Sequence, residues 1–221
     1  MSEQGGEASG PAGLTDYELA ALVDLNPTPQ GLRALEAIGV AGLLDDPGAL
    51  RAGVASLLVR GLAEAEDDRL LVGGFAGAVG TMLATADDLL LLVVTRAGEV
   101  AGRTVLVDAP AGGFLLDMTS LGAHVVQPLG LDTDLADLVR AVIAEFAEDA
   151  AGLPFDVTLS RFHLDGDVRT AGLTVAGPHA WHAHGTNART APLAWSEVLL
   201  QLGPSDAEAA STPRRAVDPN A

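Results

Sequence analysis

The fold of this chain is decided by Leu89 to Leu129, which is LLLLVVTRAGEVAGRTVLVDAPAGGFLLDMTSLGAHVVQPL. Four apolar runs in this stretch are separated by short turns that contain glycine, proline or charged residues. Short apolar runs bounded by Gly and Pro predict β-strands. The connections are too short to hold a crossover helix, so neighbouring strands must pair antiparallel. The sequence therefore predicts an antiparallel meander.

The first strand of this meander is the most apolar. Leu89 to Val94 is LLLLVV, with no polar residue on either face. A strand that is apolar on both faces belongs in the interior of a sheet, where both faces are covered. We expect this strand to lie at the centre of the sheet.

Helices are predicted before and after the meander. Thr15 and Glu18 form a capping box that begins the first helix, and Asp46-Pro47 begins a later one. After the meander, Asp132-Thr133 is placed to cap the clearest helix in the chain. Its apolar side chains recur at helical spacing, at Leu135, Leu138, Val139, Val142, Ile143 and Phe146.

A second block of strands follows this helix. Phe155 to Leu164 is predicted to pair with Val168 to Ala176 across a two-residue hairpin turn at Asp165-Gly166. Alternation places Phe155, Val157 and Leu159 on one face. Phe162 falls on the opposite face, which is otherwise polar.

The fold class that follows is α+β, with an antiparallel sheet, made of the meander and a second hairpin block, flanked by helices. The element order also suggests two related halves. The predicted organisation is a disordered arm (1–13), one α+β domain (14–203) and a disordered tail (204–221). Within the domain we expect a helical part (14–88), a first sheet block (89–129), a helix (132–149), a second strand block (155–185) and a helix (192–202).

The charge of the chain limits its partners. Thirty acidic residues face twelve basic ones, which gives a net charge of −18. Such a surface repels nucleic-acid phosphates and anionic lipid. No segment has the roughly 20 strongly apolar residues that a membrane-spanning helix needs. We therefore expect neither nucleic-acid nor membrane binding.

The residue types also limit the chemistry. The chain has no lysine and no cysteine, which excludes Schiff-base lysines, lysine-bearing P-loops, thiolate nucleophiles and cysteine-ligated metals. Its serines lie outside any G-x-S-x-G nucleophile elbow. We therefore expect a protein that is not an enzyme and uses no cofactor.

Three residues are candidates for contacting a partner. Phe162 is an aromatic side chain on a polar strand face, and exposed aromatics commonly anchor partners. His182 and His184 share one face of a predicted strand near residues 180–184. Together with His163 and His179 they leave open a second hypothesis, a metal-binding protein or histidine-based enzyme.

Leu50 to Val72 supports a third hypothesis. A helix ending in Leu57-Leu-Val-Arg60-Gly61-Leu62 is followed by an acidic turn and Leu70-Leu-Val72, which resembles a winged helix. A DNA-binding helix of this kind carries several basic groups. This one carries Arg51 and Arg60 alone, so scaffolding is favoured over an acidic winged-helix regulator.

The whole arrangement is similar to the EspG family of type VII secretion chaperones. The resemblance is carried by LTDYELAALVDL (14–25), AGVASLLVRGL (52–62), LLLLVVTRAGEVAGRTVLVD (89–108) and GGFLLDM (112–118), and extends over Leu14 to Leu202. It implies a cytoplasmic, non-catalytic chaperone that holds PE–PPE-type secretion substrates soluble and marks them for export. It also implies an antiparallel sheet flanked by helices.

Overall fold

The computed structural model describes residues 12–67, 69–130, 133–148, 152–164, 166–177 and 180–184. Its helices are α1 (Asp16–Leu25), α2 (Pro29–Ile38), α3 (Pro47–Val59), α4 (Gly74–Ala84) and α5 (Leu135–Glu148), with a 3-10 helix at Ala41–Asp45. Its strands are β1 (Ala12–Thr15), β2 (Ala63–Glu66), β3 (Arg69–Val72), β4 (Asp88–Arg96), β5 (Glu99–Ala109), β6 (Gly112–Met118), β7 (Ala123–Leu129), β8 (Phe155–Phe162), β9 (Val168–Gly177) and β10 (Ala180–His184).

Eight of these strands form one antiparallel sheet in the order β1-β7-β6-β5-β4-β8-β9-β10. The predicted α+β class is confirmed, and so is the meander of β4 to β7. The strand predicted to be central, β4, pairs with β5 on one side and with β8 on the other. The order β4-β5-β6 on one side is repeated as β8-β9-β10 on the other. The two halves are therefore related in strand order.

Two apolar clusters lie on opposite faces of the sheet because the side chains of β4 alternate. Leu89 and Leu91 point to the cluster under α1 to α4, on the face called here the helical face. Leu90, Leu92 and Val94 point to the cluster under α5, on the α5 face. The helices of the two halves therefore cover opposite faces of the sheet.

Several predicted boundaries are corrected. Ala12 and Gly13 were assigned to the disordered arm, but they lie in β1 and pair with Val126 and Val125. Helix α5 begins at Leu135, and Oδ1 of Asp134 accepts from the Asp137 amide at 3.3 Å; Asp132, predicted as a cap with Thr133, lies outside the described residues. Residues 1–11, the 192–202 helix and the 204–221 tail lie outside the described residues.

The predicted two-residue hairpin turn is also corrected. β8 ends at Phe162 and β9 begins at Val168, its partner in register. The intervening turn is closed by the amide of His163, which donates to the carbonyl of Asp167 at 2.9 Å. Pairing of the two strands follows the prediction, but β8 ends at Phe162 rather than at Leu164, so the connection is longer than two residues.

The stretch that resembles a winged helix forms a helix and two strands in residues 47–72, but Glu64 and Glu66, predicted to lie in an acidic turn, lie in a strand. Helix α3 is followed by the hairpin β2–β3, which forms a two-stranded sheet of its own. Its strands carry Glu64 and Glu66. Among the described helices, none is long and apolar enough to cross a membrane.

A buried carboxylate joins the first helix, the third helix and the edge strand. Glu18 is fully buried. Its oxygens accept from the Thr15 amide (2.8 Å), the Ser56 hydroxyl (2.7 Å) and Arg60 Nη1 (2.6 and 2.8 Å). Arg60 Nη2 also donates to the carbonyl of Gly13 in β1 at 2.8 Å. The predicted capping box is therefore the centre of a larger network.

Burial opposes ionisation of Glu18, but the hydrogen bonds from Ser56, Thr15 and Arg60 outweigh it and hold its pKa below the ordinary value of 4.5. A depressed pKa adds stability above the unfolded-state pKa, and this contribution is lost as the pH falls through the folded-state pKa.

We expect Glu18→Gln to lower the free energy of unfolding by about 1–3 kcal/mol at pH 7. Urea unfolding should show that the difference from wild type shrinks below about pH 4. A difference that is the same at pH 7 and pH 3 would contradict this assignment.

Candidate functional site

Phe162 was expected to be exposed, but it is partly buried. It lies on the polar face of β8, at the last residue of the strand. There it packs against the core of the helical face. The guanidinium of Arg33 in α2 lies 5.4 Å from its ring centroid, and Arg33 Nε donates to the carbonyl of His163 at 3.0 Å. Phe162 therefore helps to attach β8 to α2, and its role in binding a partner stays a prediction.

The predicted histidines lie on different elements. His182 and His184 are on β10, at the edge of the sheet, where they pair in register with Thr174 and Gly172 of β9. His163 is buried in the turn after β8. Within the described ranges, no three His, Asp or Glu side chains come together as a metal site would require. Because His179 falls outside those ranges, the metal-binding hypothesis also stays a prediction.

The described part of the chain contains a concave surface that the sequence analysis did not predict. An open groove of about 530 Å³ runs between α5 and the strands β6 and β7 on the α5 face. We call it the α5 groove. Its lining residues are Arg96, Leu115, Asp117, Gln127, Leu138, Ala141, Val142, Glu145 and Phe146.

The helix wall of the groove exists because α5 has two apolar rows. Val139, Ile143 and Ala147 are buried in the core against β4, β8 and β9. Leu138, Val142 and Phe146 form the second row, which is only partly buried and faces the groove. Helix α5 thus packs one row into the core and leaves the other partly exposed at the groove.

The strand wall combines an apolar residue with fixed polar groups. Leu115 of β6 is a buried floor residue. Asp117 accepts from the Thr104 hydroxyl at 2.9 Å and from Gln127 Nε2 at 3.2 Å. Because both carboxylate oxygens are held, Asp117 presents an oriented negative charge at the groove.

Arg96 fixes the C-terminal end of α5. Its Nη2 donates to the carbonyl of Phe146 at 2.7 Å, the kind of contact that the partial negative charge of a helix C-terminus favours. Its guanidinium lies 6.0 Å from the ring of Phe146 and 5.5 Å from that of Phe155. The two rings are themselves 6.5 Å apart. The shape of the groove at this end therefore depends on one cation and two aromatic rings.

The chemistry of the groove suits recognition. Asp117, Glu145 and Arg96 are the ionisable groups among the described lining residues, and Arg96 already serves the helix end. The remaining side chains are aliphatic, aromatic or amide. An open cleft with an apolar floor and a few oriented polar groups can receive apolar side chains of another molecule.

The sequence did carry one signal for this groove. The predicted apolar residues of α5 form a stripe too wide for a single contact, since Leu138 and Val142 lie beside Val139 and Ile143. A stripe of that width indicates either burial on two sides or a surface left for a partner. The opposing wall could not be found from the sequence, because it needs the register of β6 against β7.

Comparison with known proteins gives a structural likeness. No protein-family model matches the chain, and no curated protein matches it in sequence. The fold is similar to a chain in the solved structure of the Mycobacterium tuberculosis type VII secretion system chaperone EspG5 in complex with a PE25–PPE41 dimer. The TM-score is 0.50 at 14% sequence identity, over 87% of this chain and 94% of that chain. At this identity the likeness shows the fold.

Gly102 of β5 offers a test of how α5 is seated. A Cβ at this position would lie 2.5 Å from Cζ of Phe146, so the ring could not keep its place under Arg96. We expect Gly102→Ala to lower the free energy of unfolding by about 1–3 kcal/mol, measured by urea denaturation.

Gly80→Ala is the matched control. A Cβ there would meet the side chain of Leu22 at 3.6 Å, an ordinary contact, and Gly80 lies within α4, where alanine is favoured. Its stability should be unchanged or higher. If both variants behaved alike, the ring of Phe146 would not be seated against β5 as described.

Proposed function

We propose that this chain is a non-catalytic, protein-binding chaperone or adaptor that holds a segment of another polypeptide in the α5 groove. The observation that carries the proposal is the second apolar row of α5. Leu138, Val142 and Phe146 are only partly covered by the chain itself and lie opposite Leu115. Covering the apolar side chains of an open groove favours binding, because it removes their surface from water.

The most suitable occupant is the end of a helical or looped segment with apolar side chains at its tip. The floor accepts apolar groups, while Gln127 and Asp117 offer oriented hydrogen-bonding atoms beside them. The acidic rim at Glu145, together with a net charge of −18, favours a partner with basic or neutral flanks. The same negative charge repels the phosphates of nucleic acid.

The structural likeness supports a more specific partner. A fold similar to that of a type VII secretion chaperone seen with a PE25–PPE41 dimer makes a PE–PPE-type dimer the first partner to test. On this proposal the chain works in the cytoplasm, needs no cofactor and catalyses no reaction. It shields the apolar tip of its partner until export.

The test is coexpression with PE–PPE-type pairs from the same source, followed by affinity measurement on the purified complex. We expect Val142→Asp and Glu145→Arg each to weaken binding by at least about tenfold. Glu145 is exposed, so its substitution leaves the core intact even if Val142→Asp disturbs α5. Val59→Asp is the matched control, because Val59 is 88% exposed at the end of α3. The affinity of this variant for the partner should stay within about twofold of wild type.

Two outcomes would contradict the proposal. One is that no PE–PPE-type pair or other protein forms a stoichiometric complex with the chain. The other is a complex that neither groove variant weakens. In the same assay, alanine variants of Phe162, His182 and His184 decide whether the binding surface extends beyond the groove to these predicted residues.

A further inference from the structure

The hairpin β2–β3 has an outer face that the fold does not use. In the described part of the chain, the two strands pair only with each other. Ala63, Leu70 and Val72 pack toward the core of the helical face. On the other face, Glu64 stands opposite Leu71 and Glu66 opposite Arg69, and Leu71 is the apolar residue of this face, 47% exposed.

Beside this face lies a second open groove, of about 450 Å³, between the hairpin and the start of α4. We call it the wing groove. Its apolar side chains include Leu62, Leu71 and Phe75. At Gly61, Gly73 and Gly74, which border it, an added Cβ would meet no atom within 4 Å, so there is open space at each of these positions.

Glycine also forms both joints of the hairpin. Gly61, before β2, has φ +68°, and Gly74, after β3, has φ +56°. This left-handed backbone is easily adopted by glycine and strained for other residues. Both ends of the hairpin therefore depend on glycine.

We propose that the wing groove docks an extended segment of a partner protein that carries both apolar and basic side chains. Glu64 and Leu71 stand opposite each other on the same face of the hairpin. Apolar side chains of the segment would enter the groove between Leu71 and Phe75, and basic side chains would meet Glu64 and Glu66 beside it. The hairpin edges would supply main-chain hydrogen bonds, as in β-strand addition.

Charge selects this occupant over two others. The outer face and turn carry Glu64, Glu66 and Asp67 against the single cation Arg69, and the whole chain is strongly acidic. A second copy of the chain would bring the same carboxylates against each other. Phosphate-bearing ligands would be repelled in the same way.

The wing groove is independent of the α5 groove. The hairpin packs on the core of the helical face, while the α5 groove lies on the opposite face of the sheet. A partner in one groove leaves the other accessible, so this inference stands or falls separately from the proposed function.

The test uses the full chain and a short fluorescein-labelled peptide that contains both Lys and Val, with binding followed by fluorescence anisotropy. A matched Lys–Ser peptide controls for charge alone. We expect the Lys–Val peptide to bind at least about tenfold more tightly than the Lys–Ser peptide. Leu71→Asp should remove most of this preference, although it makes the chain more acidic.

Leu121→Asp is the matched variant, because Leu121 is 90% exposed in the β6–β7 turn and the charge change is the same. It should bind the Lys–Val peptide as well as wild type does. Glu64→Gln with Glu66→Gln should weaken the peptide at low salt. Equal binding of the two peptides, or equal binding by the Leu71→Asp and Leu121→Asp variants, would overturn the proposal. A dimer of the chain that Leu71→Asp dissociates would overturn it too.

Discussion

Strand β4 is apolar on both faces, and the rest of the structure depends on covering each of these faces with helices. Leu89 and Leu91 need a cover on one face, and Leu90, Leu92 and Val94 need one on the other. Each fully buried side chain of this kind contributes about 1.5–3 kcal/mol, so neither face can be left to solvent. The helices α1 to α4 cover the first face, and α5 covers the second. The Glu18–Arg60 network holds the first cover together by joining α1, α3 and β1.

The helices on the two faces of the sheet cover different strands, and this offset creates the candidate site. Within the described ranges, helix α5 packs over β4, β8 and β9 and leaves the α5 face of β6 and β7 open beside it. On the helical face, the uncovered part of β8 and β9 is polar and pairs internally, as when Thr174 donates to Asp156 at 2.6 Å. That polar surface needs no cover. Burial of the apolar floor of the α5 groove by a partner is favourable, and for this reason we place the partner there.

Much of the fold could be predicted from sequence because the decisive signals are local. LLLLVV placed β4 at the centre, the capping box of Thr15 and Glu18 began α1, and Asp46-Pro47 began α3. The candidate site was harder, because it depends on what lies across space. Phe162 looked exposed because its strand neighbours are polar, but Arg33, far away in sequence, covers it. Leu115 and Val142 looked like ordinary core residues, and only the placement of α5 shows that they line a groove.

The most direct test of this account is hydrogen–deuterium exchange on the chain, free and in complex with a PE–PPE-type dimer. We predict slower exchange in α5 and in the segments of β6 and β7 that line the α5 groove, with little change in β8 to β10. Protection confined to β10 or to the polar face of β8 and β9, with α5 unchanged, would contradict the claim that the chain presents the α5 groove to another polypeptide.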